Sequence, residues 1–598
     1  DWLCVLRCLW PIPNKVGLRG TELIHDRAGQ PAVTQDLVDL RALEVSYFDI
    51  KPDASNPAEK VSFGTSGHRG SSLNGSFNEN HVLAITQAIV EHRTASGISG
   101  PIYIGRDTHA LSEPCQQSVL EVLAGNGIDC FIAKDNGFTP TPAVSVAILD
   151  QNLQVPRGSD ALADGIVITP SHNPPSDGGI KYNPPHGGPA DSDVTSRIAN
   201  RANELLKAAL VGVKRAQPKA QEFDFQNNYI SQLDQVLHLE TIAQSGVRIG
   251  ADPLGGASVA YWDQIAHDYK LDLTVLNHSV DPQFGFMSLD WDGKIRMDCS
   301  SEYAMAALIE NKASFDISTG NDADADRHGI VTADSGLMNP NHFLTVAIHY
   351  LFDSRSGWDE HAAVGKTMVS SSMINRVATH LNRTLIEVPV GFKWFVSGLQ
   401  AGTLGFGGEE SAGASFLRLN GQPFSADKDG IIMCLLASEI EAATRFSPSE
   451  KYAELAQLLG EPSYRRIDAP ATADQKQVLA ALSESDIVAS SLAGEGIENI
   501  ETKAANGGAL GGIKVTTENA WFAARPSGTE DVYKIYGESF NGASHLDEVL
   551  EQAQSIVGQL KEKQRKTILK SALTTHLEAE ALKPYQAELI KMQAHLEE

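Results

Sequence analysis

Short apolar runs alternate with amphipathic stretches along most of this chain, and this alternation restricts the folds that it can adopt. The spacing predicts a helix over 81–93, capped by Asn80, and a second helix over 115–127 that a glycine closes. Strands are expected at 101–107 and 128–133. Such strand–helix–strand repeats form parallel sheets, whose loops gather at the carboxyl ends of the strands. Ligands bind at those ends, so functional side chains are expected there.

The same pattern returns in two further places, near 247–258 and across about 340–460. A shift in composition at 471–477 introduces a fourth part, which ends in a predicted helix around 544–560. A chain of 598 residues has room for about four domains. The sequence therefore predicts an α/β protein of several domains.

The chain is strongly acidic, with 48 basic and 75 acidic residues and a formal net charge of −27. Such a surface repels phosphate backbones and anionic lipids, so we expect neither a nucleic-acid partner nor a membrane partner. A local cationic pocket could still bind a small phosphorylated substrate. No apolar run reaches the ~18 residues that suggest a membrane helix. Six scattered cysteines in a long chain favour a cytoplasmic protein with reduced thiols.

The two ends of the chain differ from the rest. Residues 1–24 are expected to be a poorly structured N-terminal extension, since the apolar opening DWLCVLRCLWPI is interrupted by Arg7 and lacks a signal-peptide cleavage motif. Residues 561–598 carry leucines at helical spacing before Pro584, which predicts a helical C-terminal extension.

The segment ITPSHNPPSDGGIKYN, residues 168–183, follows a predicted buried strand. After Thr169 we expect neither helix nor strand. Three prolines fix φ and stiffen this loop: Pro170, Pro174 and Pro175. Gly178 and Gly179 allow the backbone to approach another group closely. A rigid serine at a strand end suits a nucleophile or a phosphate carrier, which makes Ser171 a candidate. The alternative is a proline-rich surface turn.

The segment NDADADRHG, residues 321–329, follows a second strand-like run. In an extended segment the side chains of Asp322, Asp324 and Asp326 would point to one side. Three close carboxylates repel one another unless a cation lies among them, and oxygen ligands favour Mg²⁺. An EF-hand is excluded. Counted from Asp322, the sixth position is Arg327 where that loop needs Gly, and the twelfth is Ala333 where it needs Glu. A solvated acidic turn is the alternative.

Three glycine-rich loops have the composition of ligand-binding segments. GFGGEESAG (405–413) offers paired carboxylates and a hydroxyl, which suit sugar hydroxyls. ARPSGTEDVYKIY (524–536) offers a guanidinium, two hydroxyls and free backbone amides, as a phosphate cradle does. TSGHRG (65–70) adds another arginine.

Two lysine-bearing segments are less specific. VGFKWF (390–395) predicts a sugar-facing loop or only a strand end, and SADKDG (425–430) an acid/base lysine or a solvated turn. VGKTM (364–368) resembles the end of a phosphate-binding P-loop, but position 360 is Glu where that motif needs Gly. Together, a phosphate-carrying serine, a Mg²⁺ site, a distal phosphate cradle and a hydroxyl-binding loop describe phosphate transfer between two hydroxyls of one sugar.

Four of these segments, TPSHNPP, DADADRHG, GEESAG and RPSGTED, resemble in sequence and order the motifs of the α-D-phosphohexomutases, most closely the bacterial-type phosphoglucomutases. The resemblance implies three related αβ domains with mixed or parallel sheets, and a smaller C-terminal α+β domain like the TATA-binding protein, around a central cleft. The implied domains hold, in order, the phosphoserine, metal, sugar and phosphate loops: 25–240, 241–338, 339–460 and 461–560.

The resemblance also implies the reaction. Glucose 1-phosphate and glucose 6-phosphate would interconvert through a phosphoserine enzyme and glucose 1,6-bisphosphate, with Mg²⁺ as cofactor. The implied ligands are sugar phosphates, and the protein would be a monomer or homodimer of carbohydrate metabolism. A catalytically silent scaffold would be expected to lose the serine or the aspartates, which are intact here. A Mg²⁺-dependent phosphatase would not need a second phosphate cradle.

Site residues follow from matching motifs. The implied catalytic residues are Ser171, His172, Lys181, Arg69 and Lys428. The implied metal ligands are Ser171, through its phosphate, Asp322, Asp324 and Asp326. The implied substrate-binding residues are Arg327, Lys393, Glu409, Ser411, Arg525, Ser527, Gly528 and Thr529. Val390 departs from eukaryotic relatives, which have Thr there, so a hydroxyl contact is absent and the general base is less clearly assigned than Ser171. The Glu-Glu-Ser loop favours glucose.

Overall fold

The computed structural model describes residues 24–558, except 65–66, 157, 473–475, 477–478, 481 and 527–531. Residues 1–23 of the predicted N-terminal extension, and all of the predicted C-terminal extension, therefore lie outside the described residues. So do three predicted phosphate-cradle residues: Ser527, Gly528 and Thr529. Within the described part, no helix is both long and apolar enough to cross a membrane.

The first unit is built on a six-stranded mixed sheet in the order β1-β5-β4-β2-β3-β6. Its strands are β1 (Gly67–Ser71), β2 (Ile102–Arg106), β3 (Cys130–Ala133), β4 (Asp164–Ile168), β5 (Asp177–Asn183) and β6 (Gln221–Phe223). Strands β4, β2, β3 and β6 run parallel. At one edge β5 is antiparallel to β4, and β1 is antiparallel to β5. Its helices are α1 (Leu40–Asp49), α2 (Glu79–Ala95), α3 (Ser112–Gly125), α4 (Thr141–Leu153) and α5 (Ser192–Lys207).

Two sequence predictions for this unit need correction. Helix α2 begins at Glu79, so its cap is Asn78 and Asn80 lies inside the helix. The backbone N–H of Asn78 donates to Nδ1 of His81 at 3.0 Å. The segment after Thr169 is not all loop, because DGGIKYN forms β5. A Cβ on Gly179 would collide with the backbone of Thr169. This glycine therefore allows the close backbone approach that was predicted, but the approach is between segments of the sheet.

The second unit has a five-stranded sheet in the order β11-β10-β9-β7-β8. Its strands are β7 (Ile249–Asp252), β8 (Leu273–Val275), β9 (Ile317–Gly320), β10 (Gly329–Thr332) and β11 (Gly336–Leu337). Strands β8, β7 and β9 are parallel, and β10 and β11 continue the sheet antiparallel. The helices before and within this unit are α6 (Phe225–Ile230), α7 (Leu239–Ser245), α8 (Val259–Tyr269) and α9 (Ala306–Glu310).

The third unit has a four-stranded sheet in the order β13-β12-β14-β15, with only β15 antiparallel. Its strands are β12 (Ala363–Thr367), β13 (Leu385–Val388), β14 (Leu404–Glu409) and β15 (Gly413–Phe416). Its helices are α10 (Pro340–Ser354), α11 (Met373–His380), α12 (Val396–Ala401), α13 (Gly430–Thr444) and α14 (Pro448–Leu459). Leu435 of α13 belongs to one apolar cluster with Val144 of α4 and Ile249 of β7, so the first three units share a core.

The fourth unit is sheet-rich and smaller. Its five-stranded sheet, in the order β16-β22-β21-β20-β19, is antiparallel throughout. The strands, with a short pair β17–β18, are β16 (Ser463–Pro470), β17 (Ser491–Leu492), β18 (Glu495–Gly496), β19 (Asn499–Lys503), β20 (Ala509–Thr516), β21 (Ala520–Pro526) and β22 (Val532–Ser539). A helix over 543–558 packs on it through Leu546 and Leu550. The predicted fold class, three αβ units and a smaller C-terminal unit, is confirmed.

Candidate active site

Ser171 lies three residues beyond the end of β4 and is fully buried. Its φ of 61° is left-handed, a conformation that costs a non-glycine residue about 1–3 kcal/mol. Its amide donates to Oγ1 of Thr169 at 2.8 Å, and its hydroxyl donates to Oδ2 of Asp322 at 2.7 Å. These two bonds direct the hydroxyl at the aspartate loop of the second unit.

The three aspartates after β9 converge as predicted, but not as an extended segment. One carboxylate oxygen each from Asp322, Asp324 and Asp326 lies within 4.8 Å of the other two, and all three residues are buried. The chain makes a tight turn here, because Ala325 has a φ of 53° and its amide donates to the Asp322 carbonyl at 2.9 Å. The left-handed alanine therefore brings the carboxylates together, where a strand would have spaced them out.

Three cations surround this carboxylate cluster. Lys181 of β5 lies 2.6 Å from Asp324 and 3.2 Å from Asp326, and Lys428 lies 3.0 Å from Asp326. Nε of Arg327 is 3.9 Å from both Asp322 and Asp326. A buried charge is tolerated only with such pairing.

The nearby cations shift the pKa values of the carboxylates to different extents. Burial, with the charges of Asp324 and Asp326, raises the pKa of Asp322 well above its usual value. Burial also acts to raise the pKa of Asp326, but Lys428 and Lys181 outweigh it and the pKa of Asp326 is lowered. The same attraction outweighs burial at Lys181 and raises the pKa of its ammonium.

The cluster fits a divalent metal ion. Oδ1 of Asp324 and Oδ1 of Asp326 are buried and have no hydrogen-bond partner among the described residues. Leaving a buried acceptor unpaired costs about 1–3 kcal/mol, and more for a charged group. Two orphan oxygens, the carboxylate of Asp322 and the oxygen of Ser171 make a set of hard ligands of the kind that Mg²⁺ takes.

Arg69 and His172 lie at the rim of this cluster. Arg69 is on β1 opposite Gly179 of β5, and its Nη1 is 3.5 Å from Oδ1 of Asn173. Nδ1 of His172 is 3.4 Å from Oγ of Ser171. Burial and the positive charge of Arg327 lower the pKa of His172 well below its usual value, although the carboxylate of Asp298 opposes that shift.

Glu409 ends β14 and connects the two predicted sugar loops. Its Oε1 accepts the Gly391 amide at 2.9 Å, which joins 405–413 to 390–395. Burial raises the pKa of Glu409 to about 6, and the nearby ammonium of Lys428 opposes that rise. Ser411 follows in the same loop and is half-buried. Lys428 lies between Glu409 and the carboxylate cluster, since its ammonium acts on Glu409 and pairs with Asp326. Its alkyl chain occupies the space that a side chain on Gly413 would need.

Two predicted substrate residues lie further away. Nζ of Lys393 donates to Oγ of Ser192 at 2.5 Å, so this side chain joins the third unit to α5 instead of reaching the aspartates. Arg525 is half-buried on β21, directly before the part of the cradle that is not described, and its Nε has no hydrogen-bond partner among the described residues.

Sequence profiles of the phosphoglucomutase/phosphomannomutase family match three consecutive parts of the chain: alpha/beta/alpha domain I at 60–209, domain II at 227–336 and domain III at 339–459. A phosphoglucomutase from Komagataeibacter xylinus is 54% identical over 541 residues, which are 89% of this chain and 97% of that protein. This chain belongs to the phosphoglucomutase/phosphomannomutase family.

Two solved structures of family members share the fold. A phosphoglucomutase/phosphomannomutase family protein from Burkholderia thailandensis has a TM-score of 0.64 at 18% identity, over 84% of this chain and 98% of that one. Parafusin, a phosphoglucomutase from Paramecium in an open form, has a TM-score of 0.64 at 18% identity, over 86% of this chain and 96% of that one. Likenesses at this identity concern the fold alone.

Four residues of this family member lie at the site without having been singled out from the sequence: Asp107, His109, Thr141 and Thr169. Thr141, at the start of α4, donates its hydroxyl to Asp324 at 2.5 Å, and its amide donates to the Asp324 carbonyl at 2.9 Å. Asp107 and His109 follow β2 at the carboxyl end of that strand. The rule that places ligand loops at strand ends could have indicated the segment RDTH, but no repeated carboxylate spacing or glycine-rich turn marks it.

Proposed function

We propose that this family member is a phosphoglucomutase that interconverts glucose 1-phosphate and glucose 6-phosphate. The observation that carries the proposal is the buried hydroxyl of Ser171, 2.7 Å from the metal-binding carboxylate of Asp322. The phosphoglucomutase that is 54% identical over most of the chain supports glucose as the sugar.

Phosphoserine at Ser171 would be the resting form. In the first half of the reaction, the free hydroxyl of the sugar phosphate attacks phosphorus and the bond to Oγ breaks, which gives glucose 1,6-bisphosphate and protonated Ser171. In the second half, Oγ attacks the other phosphate, and the sugar oxygen that leaves becomes a hydroxyl. One proton moves from the sugar hydroxyl to Oγ in the first half and back to a sugar oxygen in the second, so atoms and charge balance.

We assign roles by position. Arg69, His172 and Lys181 contact the transferring phosphate, and Asp322, Asp324, Asp326 and phosphorylated Ser171 hold Mg²⁺. Bound Mg²⁺ would supply positive charge next to the transferring phosphoryl group. Lys428 is our candidate to relay the exchanged proton: its ammonium, which lies 3.0 Å from Asp326, would give a proton to Oγ and take one from the sugar hydroxyl in return.

The remaining residues would bind the sugar and the phosphate that is not reacting. We assign sugar hydroxyls to Glu409 and Ser411. The distal phosphate falls to the cradle of Arg525, Ser527, Gly528 and Thr529, and Arg327 and Lys393 are assigned to the substrate without a finer role. A role for Lys393 requires its ammonium to leave Oγ of Ser192. A second phosphate site favours a mutase over a Mg²⁺-dependent phosphatase. A cytoplasmic monomer or homodimer without a nucleic-acid partner remains a prediction from composition and resemblance.

A coupled assay tests the function. Purified protein is given glucose 1-phosphate, Mg²⁺ and a trace of glucose 1,6-bisphosphate, and glucose 6-phosphate is detected as NADPH through its dehydrogenase. We expect product that EDTA abolishes and excess Mg²⁺ restores. Mannose 1-phosphate and N-acetylglucosamine 1-phosphate, assayed with their own coupling enzymes, should give much lower kcat/KM. Folded protein with phosphorylated Ser171 and no glucose 6-phosphate would contradict the proposal.

A further inference from the structure

We propose that Asp107 and His109 form a positioning clamp, which holds the Ser171 loop at both ends in the geometry that phosphoryl transfer needs. The inference deepens the proposed function and rests on it. Neither residue has been placed on the substrate or the metal, so both would act through the loop.

One end of the loop is held through Thr169. The hydroxyl of Thr169 donates to Oδ2 of Asp107 at 2.6 Å and accepts the amide of Ser171 at 2.8 Å. Among the described residues, this hydroxyl is therefore the link through which Asp107 fixes the amide of Ser171. The other end is held through Asn173, whose carbonyl accepts from Nε2 of His109 at 3.0 Å.

The clamp is itself fully bonded. Nδ1 of His109 is 2.8 Å from Oδ2 of Asp107, and the His109 amide donates to Oδ1 at 3.0 Å. The hydroxyl of Ser112, at the start of α3, donates to the same Oδ1 at 2.5 Å. The aspartate thus accepts four hydrogen bonds, all from buried groups, and cannot rotate without breaking them.

The bonds also define the charge of His109. A carboxylate and a carbonyl can only accept, so both ring nitrogens must carry hydrogen, which makes the ring an imidazolium. Burial disfavours that charge, but the carboxylate of Asp107 outweighs it, and the pKa of His109 is raised. The other ionisable groups that face this pair are Asp177 toward His109, and Arg106 and Cys115 toward Asp107. Phe284 of the second unit covers the ring, with centroids 5.0 Å apart.

The loop needs such a clamp because its central residue is strained. Ser171 has a φ of 61°, which L-residues adopt only where their surroundings enforce it. Its side-chain bond to Asp322 fixes the hydroxyl and leaves the backbone free. The side chain of Asn173 makes two further contacts: its Oδ1 faces Arg69, and its Nδ2 donates to Asp177 at 3.0 Å. The clamp therefore orients the phosphate carrier and one phosphate-binding arginine together.

The test compares variants that open each end of the clamp. Thr169→Val removes the hydroxyl that links Asp107 to Ser171 and keeps nearly the same side-chain shape. His109→Gln removes the positive charge of the imidazolium and one of its two donor nitrogens. Thr169→Ser keeps the hydroxyl and should restore function. Thr108→Val is the matched control, because the Thr108 hydroxyl is equally buried between the two clamp residues and has no hydrogen-bond partner among the described residues.

We expect both opening variants to lower kcat by about 10–100-fold, the range that a small misplacement of a reacting group produces, with KM for glucose 1-phosphate within about threefold of wild type. Thr169→Ser and Thr108→Val should stay close to wild type. Amide hydrogen exchange of the peptide covering 169–173 should be faster in the two opening variants only. In wild type, deprotonation of His109 should lower kcat at high pH. This decrease should be absent in His109→Gln.

Circular dichroism and the unfolding midpoint separate positioning from folding. A folded Thr169→Val protein with wild-type kcat and wild-type exchange would overturn the clamp. So would a loss of activity matched by an equal loss of folded protein. If the wild-type protein shows no mutase activity, the proposed function fails, and exchange alone decides the clamp: unchanged exchange in both opening variants overturns it.

Discussion

Ser171 and Asp322 meet at 2.7 Å across 151 residues of sequence, and each follows a strand of a different sheet. Strand β4 ends at Ile168 and strand β9 at Gly320, so both loops leave the carboxyl ends of central strands. The shared apolar core fixes the two sheets against each other. The Ser171 hydroxyl on one unit therefore faces the carboxylate cluster on the next, which is the arrangement that the proposed reaction requires.

Ser171→Ala should remove mutase activity by at least about 10³-fold, as loss of a covalent nucleophile does. The free energy of unfolding should fall by no more than about 3 kcal/mol, because one hydrogen bond to a carboxylate is lost. The coupled assay and urea unfolding measure the two effects. Ser176→Ala is the control, since within the part of the chain that the structure describes that half-buried hydroxyl bonds only to the neighbouring Asp177, and it should be dispensable. Substantial activity in the Ser171 variant would rule out the phosphoserine mechanism.

Asp322→Asn should abolish stabilisation by Mg²⁺. Bound metal at 100 times its Kd raises the unfolding free energy of wild type by about 2.7 kcal/mol, and that gain should vanish. Without metal the variant should be at least as stable as wild type, because the charge that repels Asp324 and Asp326 is gone. Thermal melts with and without Mg²⁺ report both effects. Exposed Asp272 provides the control Asp272→Asn, which should melt like wild type, and an unaltered Mg²⁺ shift in Asp322→Asn would refute the metal site.

Asp429→Asn should flatten the pH dependence of stability. Burial raises the pKa of Asp429 to about 7, although Tyr229 donates to it. Between the unfolded value, near 4, and about 7 the folded state binds more protons, so the unfolding free energy falls as pH rises, by up to about 1.4 kcal/mol per pH unit. Asparagine keeps the cap on α13 that Asp429 provides and carries no charge. Urea unfolding at pH 5 and pH 7 should show a smaller difference in the variant, and an unchanged difference would exclude Asp429 as its source.

Glu409→Gln should weaken sugar binding. A charged hydrogen bond contributes about 1.5–3 kcal/mol, so KM for glucose 1-phosphate should rise roughly 10- to 100-fold at pH 8. The pKa of Glu409 lies near 6, so wild-type affinity should increase as pH rises through 6. The substrate phosphate also ionises in this pH range and changes KM for both proteins. The ratio of variant to wild-type KM cancels that effect. A ratio that does not change between pH 5 and pH 8 would argue against a role for this carboxylate.

The alternation of apolar and amphipathic segments predicted the α/β class and the position of the functional loops. It could not predict β5, because DGGIKYN looks like part of a loop until β5 is seen between β4 and β1, with Gly179 against the Thr169 backbone and Gly178 against the Phe77 ring. The aspartate spacing predicted convergence, but the turn at Ala325 depends on a φ that no local pattern signals. The clamp was missed for a different reason, since Asp107 and Thr169 are 62 residues apart and only tertiary folding brings them together.

Phosphoryl transfer to Ser171 itself tests the account most directly. Dephosphorylated protein is mixed with glucose 1,6-bisphosphate carrying ³²P on both phosphates, digested, and the labelled peptide is sequenced by mass spectrometry. We predict label on the peptide containing Ser171 in wild type, none in Ser171→Ala, and release of that label into sugar bisphosphate when unlabelled glucose 1-phosphate is added. Label on another residue, or label on Ser171 that leaves only as inorganic phosphate, would contradict the account.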